Sequence, residues 1–132
     1  MTFENVGIDI IEIERVAKLK VSHRFLDRVF TKRELDYCFS KQFPERSLAA
    51  RFAAKEAVGK ALNSGIGIGK LKWTDVEIKI IDGNPKIIFH GIAAKSFSNP
   101  QIFLSISHTK YNAVATVFLR LDYSQFERFQ NL

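Results

Sequence analysis

Residues 47–62, SLAARFAAKEAVGKAL, are the stretch that most constrains the fold, because almost every position favours a single long helix. Alanine, leucine, lysine, arginine and glutamate are strong helix formers, set here against one glycine. Glu56 and Lys60 are four residues apart and share a face with Ala49 and Ala53. The pattern predicts a helix of about four turns on which small residues leave clearance beside a carboxylate and an ammonium. Taken alone, a weak surface ion pair explains the same face.

Composition limits the class of protein. The 132 residues suit one domain, and a hydrophobic content of 46% is enough for a core without covalent cross-links. No apolar run reaches the ~18 residues of a membrane span, and no secretory signal pattern opens the chain. Cys38 is the only cysteine, so the cytoplasm is the expected location. The net charge of +6 would attract phosphates, nucleic acid or an acidic protein.

An acidic residue interrupts the first predicted strand. Residues 6–13, VGIDIIEI, are mostly β-branched, which predicts a strand buried on both faces, with Asp9 between two isoleucines. A buried carboxylate without partners is strongly destabilising, so Asp9 should meet a cation, a metal or several hydrogen-bond donors. Pairing with Arg15 or with backbone amides explains the segment as well as a metal site does.

Two short basic helices follow, at residues 14–20 and 23–30. Arg24 and Arg28 are four residues apart and share a face of the second helix. That face is either a solvated surface or a docking surface for an acidic partner.

A third helix is predicted from the capping-box pattern of Thr31 and Glu34 to about residue 41. Its buried side would be formed by three residues, namely Leu35, Cys38 and Phe39. Pro44 or the residue after it would then open the long helix.

Three alternating glycines follow the long helix in residues 63–69, NSGIGIG. A glycine helix cap explains Gly65, whereas Gly65, Gly67 and Gly69 together favour close approach of the backbone to a ligand. The segment is not a Walker A loop, because it lacks the Gly-Lys-Ser/Thr ending and does not open a helix.

The remaining elements predict an α+β domain. They are, in order, a half-exposed strand at 75–81, a turn at 82–85, a return strand at 86–90, a helix at 91–97, strands at 101–107 and 113–119, and a tail at 121–132 that either docks or frays. We expect one mostly antiparallel sheet with the long central helix and the basic helices on one side. The domain would span residues 1–120, followed by the tail.

The sequence SISH at residues 105–108 ends a strand at a loop. It lacks the G-x-S-x-G pattern of a hydrolase nucleophile. His108 and Thr109 are placed to donate to an anion, although an ordinary loop hydrogen bond explains His108 equally well.

Three segments together resemble the holo-acyl-carrier-protein synthase family of phosphopantetheinyl transferases. They are GIDI at residues 7–10, RFAAKEA at residues 51–57 with Lys60 and Ala61, and SISHT at residues 105–109. The resemblance runs from residue 6 to about residue 119, and RFAAKEA is its most specific part. The sequence LNS before Gly65 replaces a more usual Phe-Gly-Thr, which affects the expected loop shape and not the expected reaction.

The resemblance implies a 4′-phosphopantetheinyl transferase-like fold and a Mg²⁺-dependent enzyme. The family transfers the 4′-phosphopantetheine arm of coenzyme A to a serine of apo-acyl carrier protein, in fatty acid biosynthesis, and releases adenosine 3′,5′-bisphosphate. Asp9 and Glu56 match the metal ligands, and Lys60 matches a lysine beside the phosphates; these three are the expected catalytic residues. Glu56, Asp9 or a metal-bound water would take the serine proton.

The resemblance also implies how substrates bind. Coenzyme A would contact nine residues: Arg46, Arg51, Lys60, Gly65, Ile66, Gly67, Ser107, His108 and Thr109. Arg15, Arg24 and Arg28 fall in the region that docks the acidic carrier protein. Members of this size are homotrimers with sites between subunits. Arg51 and Glu56 lie ~140° apart around the helix, which fits a cleft to which neighbouring subunits contribute different faces.

Two other functions fit parts of the sequence. A non-enzymatic basic module for nucleic acid or an acidic protein explains the charge, but it does not explain Asp9 and Glu56. The longer members of the family contain two pseudo-repeats, whereas this chain contains one, which favours the short, oligomeric class. We expect no nucleic-acid partner for the enzyme.

Overall fold

The computed structural model describes residues 1–132. The strands are β1 (Thr2–Glu12), β2 (Val76–Ile81), β3 (Asn84–Phe89), β4 (Gln101–His108) and β5 (Asn112–Asp122). The helices are α1 (Ile13–Leu19), α2 (His23–Val29), α3 (Lys32–Phe39), α4 (Pro44–Ala61), α5 (Gly91–Ser96) and α6 (Tyr123–Gln130), and a 3₁₀ turn (Trp73–Asp75) precedes β2. None of the helices combines the length and apolarity needed to cross a membrane.

The strands form two antiparallel sheets. β5 lies between β1 and β4 in a three-stranded sheet, and β2 pairs only with β3. The predicted α+β class is confirmed, but its strands do not form the single sheet we expected. The turn Asp82–Gly83 has positive φ at both residues, which is the geometry of a two-residue hairpin loop. This turn joins β2 to β3, and the two strands form a separate sheet.

Helix α4 begins at Pro44, as predicted, and packs across β1 and β5. Gly7 permits the close approach, because a Cβ there would overlap the carbonyl oxygen of Ala57. Ala49 and Ala53 are fully buried in the same core. The interpretation of these alanines as clearance for a ligand is therefore wrong, because both are packed inside the core.

The open face of β1 corrects a second expectation. Val6, Ile8 and Ile10 are about 60% exposed, whereas Gly7 and Ile11 are buried against α4. The strand is thus covered on one face, although its composition predicts burial on both. Phe103 on β4 is exposed on the same sheet, so a broad apolar surface faces outward.

Helix α3 begins with the predicted capping box, in which the Thr31 hydroxyl accepts from the Glu34 amide and the Glu34 carboxylate accepts from the Thr31 amide. Its buried residues are Glu34 and Cys38, and Leu35 is half-buried. The expectation for Phe39 is wrong, since it is exposed. Burial raises the pKa of the Cys38 thiol to about 11, which agrees with a packing role.

Residues 121–132 do not fray. β5 continues to Asp122, and the Asp122 carboxylate caps α6 by accepting from the Gln125 amide. Phe126 stacks on Phe3 with ring centroids 3.6 Å apart, and Phe129 is fully buried. The C-terminal helix α6 is therefore packed against β1.

Candidate functional site

Strand β1 and helix α4 bring Asp9 and Lys60 together. The Lys60 ammonium lies 3.1 Å from Asp9 Oδ1 and donates to the Ile8 carbonyl oxygen at 2.8 Å. Asp9 pairs with Lys60 and not with Arg15, and its side chain is 18% exposed. The predicted need for a cationic partner is met, but Asp9 lies at the edge of the core and not inside it. The contact between Asp9 and Lys60 is possible because Gly7, two residues before Asp9, has no side chain and lets β1 pack directly against α4.

Glu56 lies beside this pair without bonding to Lys60. Burial raises the pKa of Glu56, and the neighbouring charge of Asp9 raises it further, whereas Lys60 and Arg15 act in the opposite direction. Two carboxylates thus approach each other beside one ammonium. The simple helical ion pair suggested by the spacing of Glu56 and Lys60 is absent.

The glycine-containing segment, residues 63–69, folds back against the end of α4. Asn63 has a φ of 52° and so takes the left-handed position that the sequence pattern assigned to Gly65. Because Gly59 has no side chain, the Ser64 carbonyl oxygen can pack against it. The Ser64 amide donates to the Gly59 carbonyl oxygen at 2.9 Å. Ile66 is buried and anchors the middle of the segment. The segment therefore has a defined shape.

An open cleft of about 400 Å³ separates this segment from the helix. Its lining consists of Glu56, Gly59, Lys60, Asn63, Ser64, Gly65 and Ile66. Gly67 lies just beyond, with a φ of 77° and its Cα against the Trp73 indole, where no side chain fits. Six predicted site residues therefore cluster here, and they are Asp9, Glu56, Lys60, Gly65, Ile66 and Gly67.

Most of the other residues predicted to bind coenzyme A lie towards the opposite half of α4. Arg46 lines a second cleft with Lys110 and Tyr111, in the turn that follows His108. Thr109 shapes this turn, since its hydroxyl accepts from the amides of Tyr111 and Asn112. Ser107 and His108 are exposed at the end of β4. Sequence reasoning missed Lys110 and Tyr111, although their place directly after SISHT was a usable signal.

Arg51 is buried, in contrast to the role implied for it. Its guanidinium lies 4.5 Å from the centre of the Tyr37 ring and donates to the Ser47 carbonyl oxygen at 3.3 Å. Its Nε has no hydrogen-bond partner, and an unsatisfied buried donor is unfavourable. Within one chain, Arg51 does not reach the cleft beside Glu56.

The two groups of residues line separate clefts in one chain. Arg46 and Glu56 are ten residues apart on α4, which corresponds to ~15 Å along the helix axis. The structure therefore has two clefts, the first half-site beside Glu56 and the second half-site beside Arg46, named for the shared site that the sequence predicts.

The three arginines predicted to dock a partner differ in position. Arg15 on α1 is close enough to Glu56 to influence its titration. Arg28 on α2 donates to the Gly67 carbonyl oxygen at 3.3 Å. Arg24 is exposed on the same helix. A basic surface thus borders the cleft on the side of the short helices.

The donor set beside α4 fits a hard cation. Asp9 and Glu56 offer carboxylate oxygens, and no group of three or more acidic, histidine or cysteine side chains is present that could enclose a metal by itself. Mg²⁺ typically takes one or two carboxylates and completes its shell with water and substrate phosphates. The site therefore fits a magnesium ion that is shared with a phosphorylated ligand.

Comparison with known proteins identifies the family of this chain. Residues 5–116 match the family described as the 4′-phosphopantetheinyl transferase superfamily. The chain is 48% identical to the holo-[acyl-carrier-protein] synthase of Carboxydothermus hydrogenoformans, over 88% of this chain and 97% of that protein.

Solved structures give the same result. The Bacillus anthracis holo-(acyl-carrier-protein) synthase in complex with CoA (3′,5′-ADP) matches with a TM-score of 0.76 and 35% identity, over 89% of this chain and 96% of that one. The Helicobacter pylori enzyme in complex with coenzyme A matches with a TM-score of 0.73 and 32% identity, over 86% and 98%. The resemblance read from GIDI, RFAAKEA and SISHT is confirmed: this chain belongs to the 4′-phosphopantetheinyl transferase superfamily.

Proposed function

We propose that this chain is a holo-acyl-carrier-protein synthase, which transfers the 4′-phosphopantetheine arm of coenzyme A to a serine of apo-acyl carrier protein and releases adenosine 3′,5′-bisphosphate. The proposal rests on Asp9, Glu56 and Lys60 converging beside the glycine segment. High identity to holo-acyl-carrier-protein synthases and similarity to coenzyme A complexes support it.

The residues suit transfer at phosphorus. Asp9 and Glu56 would hold Mg²⁺, which supplies charge neutralisation at the pyrophosphate when bound. The Lys60 ammonium, fixed by Ile8 and Asp9, would stabilise charge that develops on the phosphate oxygens. The carrier protein brings the serine nucleophile, so this chain needs none.

The remaining predicted contacts fit a nucleotide held at the second half-site. Arg46, His108 and Thr109 would bind the 3′-phosphate end of coenzyme A, with Ser107 beside them, and Arg51 would join them only if its buried guanidinium became exposed. The backbone at Gly65, Ile66 and Gly67 would contact the nucleotide from the first half-site. Arg15, Arg24 and Arg28 would dock the acidic carrier. Fatty acid biosynthesis in the cytoplasm is the setting that we propose for this reaction.

A homotrimer would join the two half-sites. The open face of the three-stranded sheet exposes Val6, Ile8, Ile10 and Phe103, and apolar surfaces of this kind mark protein interfaces. Covering this face with further copies of the chain would bury it. Copies arranged in this way could also place one chain's Arg46 half-site against the next chain's Glu56 half-site.

Replacing Ile8 with glutamate should dissociate the oligomer, because a charge would be buried in the apolar interface. By light scattering, the wild type should have a mass of roughly 45 kDa, three times the 15.1 kDa of one chain, and the variant should have the mass of one chain. Ile68→Glu is the matched control, since Ile68 is 81% exposed on the glycine segment and not on the sheet. A monomeric wild type, or an oligomeric Ile8→Glu variant, would contradict this interface.

The transfer itself is tested directly. The purified chain, coenzyme A and an apo-acyl carrier protein are incubated with Mg²⁺, and the carrier is weighed by mass spectrometry. We expect the carrier to gain the mass of one phosphopantetheine arm, and chelation of the metal to stop the reaction. A carrier that stays unmodified with Mg²⁺ present would refute the activity for that carrier.

A non-enzymatic basic module is not favoured. Such a module needs surface cations only, and the convergence of two carboxylates beside Lys60 would have no role in it. Salt-dependent nucleic-acid binding would not support it, because any surface of charge +6 binds polyanions in that way.

A further inference from the structure

Both ends of the glycine segment are fastened to one residue of the C-terminal helix. The Gln130 side-chain amide donates to the carbonyl oxygen of Leu62 at 2.7 Å, directly before the segment. The Lys70 ammonium, directly after the segment, donates to the main-chain carbonyl oxygen of Gln130 at 3.0 Å. Residues 63–69 are thus a loop whose two ends meet at Gln130.

The anchor is itself well fixed. Phe129 is fully buried, its ring lies 5.1 Å from that of Phe97, and the Lys70 ammonium lies 4.7 Å from its centre. Phe126 stacks on Phe3 one turn earlier. Because these rings tie α6 to β1 and to Phe97 at the end of α5, Gln130 has little freedom to move away from the loop.

The end of α4 is held from a second direction as well. The Asn5 side-chain amide donates to the Ala61 carbonyl oxygen at 3.0 Å. The last carbonyl groups of a helix lack hydrogen-bond donors within the helix. Here Asn5 of β1 donates to the Ala61 carbonyl oxygen, and Gln130 of α6 donates to that of Leu62. The position at which the loop departs from α4 is therefore set by tertiary contacts.

We propose that Gln130 and Lys70 are positioning residues, through which α6 holds the glycine loop in the shape that binds coenzyme A. This inference rests on the proposed function, in which the loop backbone contacts the nucleotide. A loop that is ordered before binding loses less conformational entropy when the ligand arrives. Loosening either end should therefore weaken coenzyme A binding more than carrier docking, in which Arg28 alone contacts the loop.

Two substitutions loosen the two ends separately. Gln130→Ala removes the bond to Leu62 and keeps the main-chain acceptor for Lys70, whereas Lys70→Met removes the other bond and keeps an apolar stem over Phe129. Each should raise the KM for coenzyme A about 3- to 10-fold, the range expected for one net hydrogen bond. We expect kcat to stay unchanged and the KM for the carrier to rise less than the KM for coenzyme A.

Gln125→Ala is the matched control on the same helix. Its side chain bonds to Ser98 and touches neither end of the loop. It should leave the KM for coenzyme A unchanged. An equal rise in Gln125→Ala and Gln130→Ala would show a general loss of α6 and would overturn the positioning role.

Hydrogen exchange of the free protein gives a readout that needs no activity. The amides of residues 63–69 should exchange faster in Gln130→Ala and Lys70→Met than in the wild type or in Gln125→Ala. Unchanged exchange in both variants would overturn the inference, whether or not the wild type is active. A wild type that binds no coenzyme A by calorimetry would instead refute the proposed function, and the exchange result would still decide the fastening of the loop.

Discussion

Glu56→Gln will lower turnover by roughly 10³-fold, because glutamine cannot replace a charged metal ligand and metal catalysis supplies several kcal/mol. The side chain keeps its size, and helix α4 keeps its packing, so the fold should be unaffected. Carrier modification followed by mass spectrometry over time measures the rate. Calorimetry with coenzyme A present should show that Mg²⁺ binds the wild type and not the variant.

The same substitution should not reduce stability. The pKa of Glu56 is raised by burial and then by Asp9, so the folded state binds its proton more tightly than the unfolded state does. The ionised carboxylate therefore destabilises the fold at every pH above the raised pKa, and stability increases as the pH falls through it. In the absence of Mg²⁺ at neutral pH, we expect the Tm of Glu56→Gln to equal or exceed that of the wild type.

Ser64→Ala provides a control in the same cleft, because Ser64 contributes only an exposed hydroxyl and its backbone stays in place. Its turnover should stay close to that of the wild type. A Glu56→Gln variant with full turnover would remove Glu56 from the metal site. A lowered Tm would show that the ionised Glu56 carboxylate stabilises the fold, contrary to this expectation.

The local patterns predicted the elements well because those patterns depend on neighbours in the chain. The capping box of Thr31 and Glu34, Pro44 at the start of the long helix, and the Asp82–Gly83 hairpin all lie where the sequence indicated. Apolar content alone could not show which faces are covered, since it does not say what packs on them. Ile8 and Ala53 were misread for this reason, in opposite directions.

The site was predictable only in part. GIDI and RFAAKEA identified Asp9, Glu56 and Lys60 through a resemblance, and the structure brings those three together. The contacts of Gln130 with both ends of the glycine loop could not be read from the sequence, because they join residues 60 or more positions apart. No local pattern marks such a pair.

Glu34→Ala will have the largest effect on stability. The Glu34 carboxylate lies 2.8 Å from the Lys55 ammonium, and both side chains are fully buried. Removal of one partner of a buried ion pair costs about 3–5 kcal/mol, because the other charge is left uncompensated. This is a large share of the 5–15 kcal/mol that is typical of a whole protein. Urea denaturation at neutral pH measures the loss.

The exposed pair on the same helix is the matched control. Lys32 and Asp36 are also 2.8 Å apart, but their side chains are 88% and 64% exposed. Asp36→Ala should cost no more than about 0.5 kcal/mol. The difference between the two variants reports the burial of the Glu34–Lys55 pair together with the bonds that the Glu34 carboxylate accepts from the Thr31 and Ile78 amides. Equal losses would mean that the Glu34–Lys55 pair is not a special element of the core.

The destabilisation should depend on pH in a defined direction. Burial lowers the pKa of Lys55, and Glu34 opposes that shift, so loss of Glu34 lowers the pKa further. Charged Lys55 destabilises the fold below its lowered pKa, and stability returns as the pH rises from there towards the ordinary value of 10.5. The stability difference from the wild type should therefore shrink at alkaline pH.

Substitution of Lys55 by an uncharged residue should likewise recover part of the lost stability at neutral pH. The double variant Glu34→Ala/Lys55→Met should be more stable than Glu34→Ala alone, because the orphaned ammonium is gone and an apolar side chain fills most of its volume. Recovery will be incomplete, since Lys55 also donates to the carbonyl oxygens of Trp73 and Val76, and these buried acceptors lose their donor. A double variant less stable than Glu34→Ala would show that these backbone contacts, and not the charge pair, hold α4 against the hairpin.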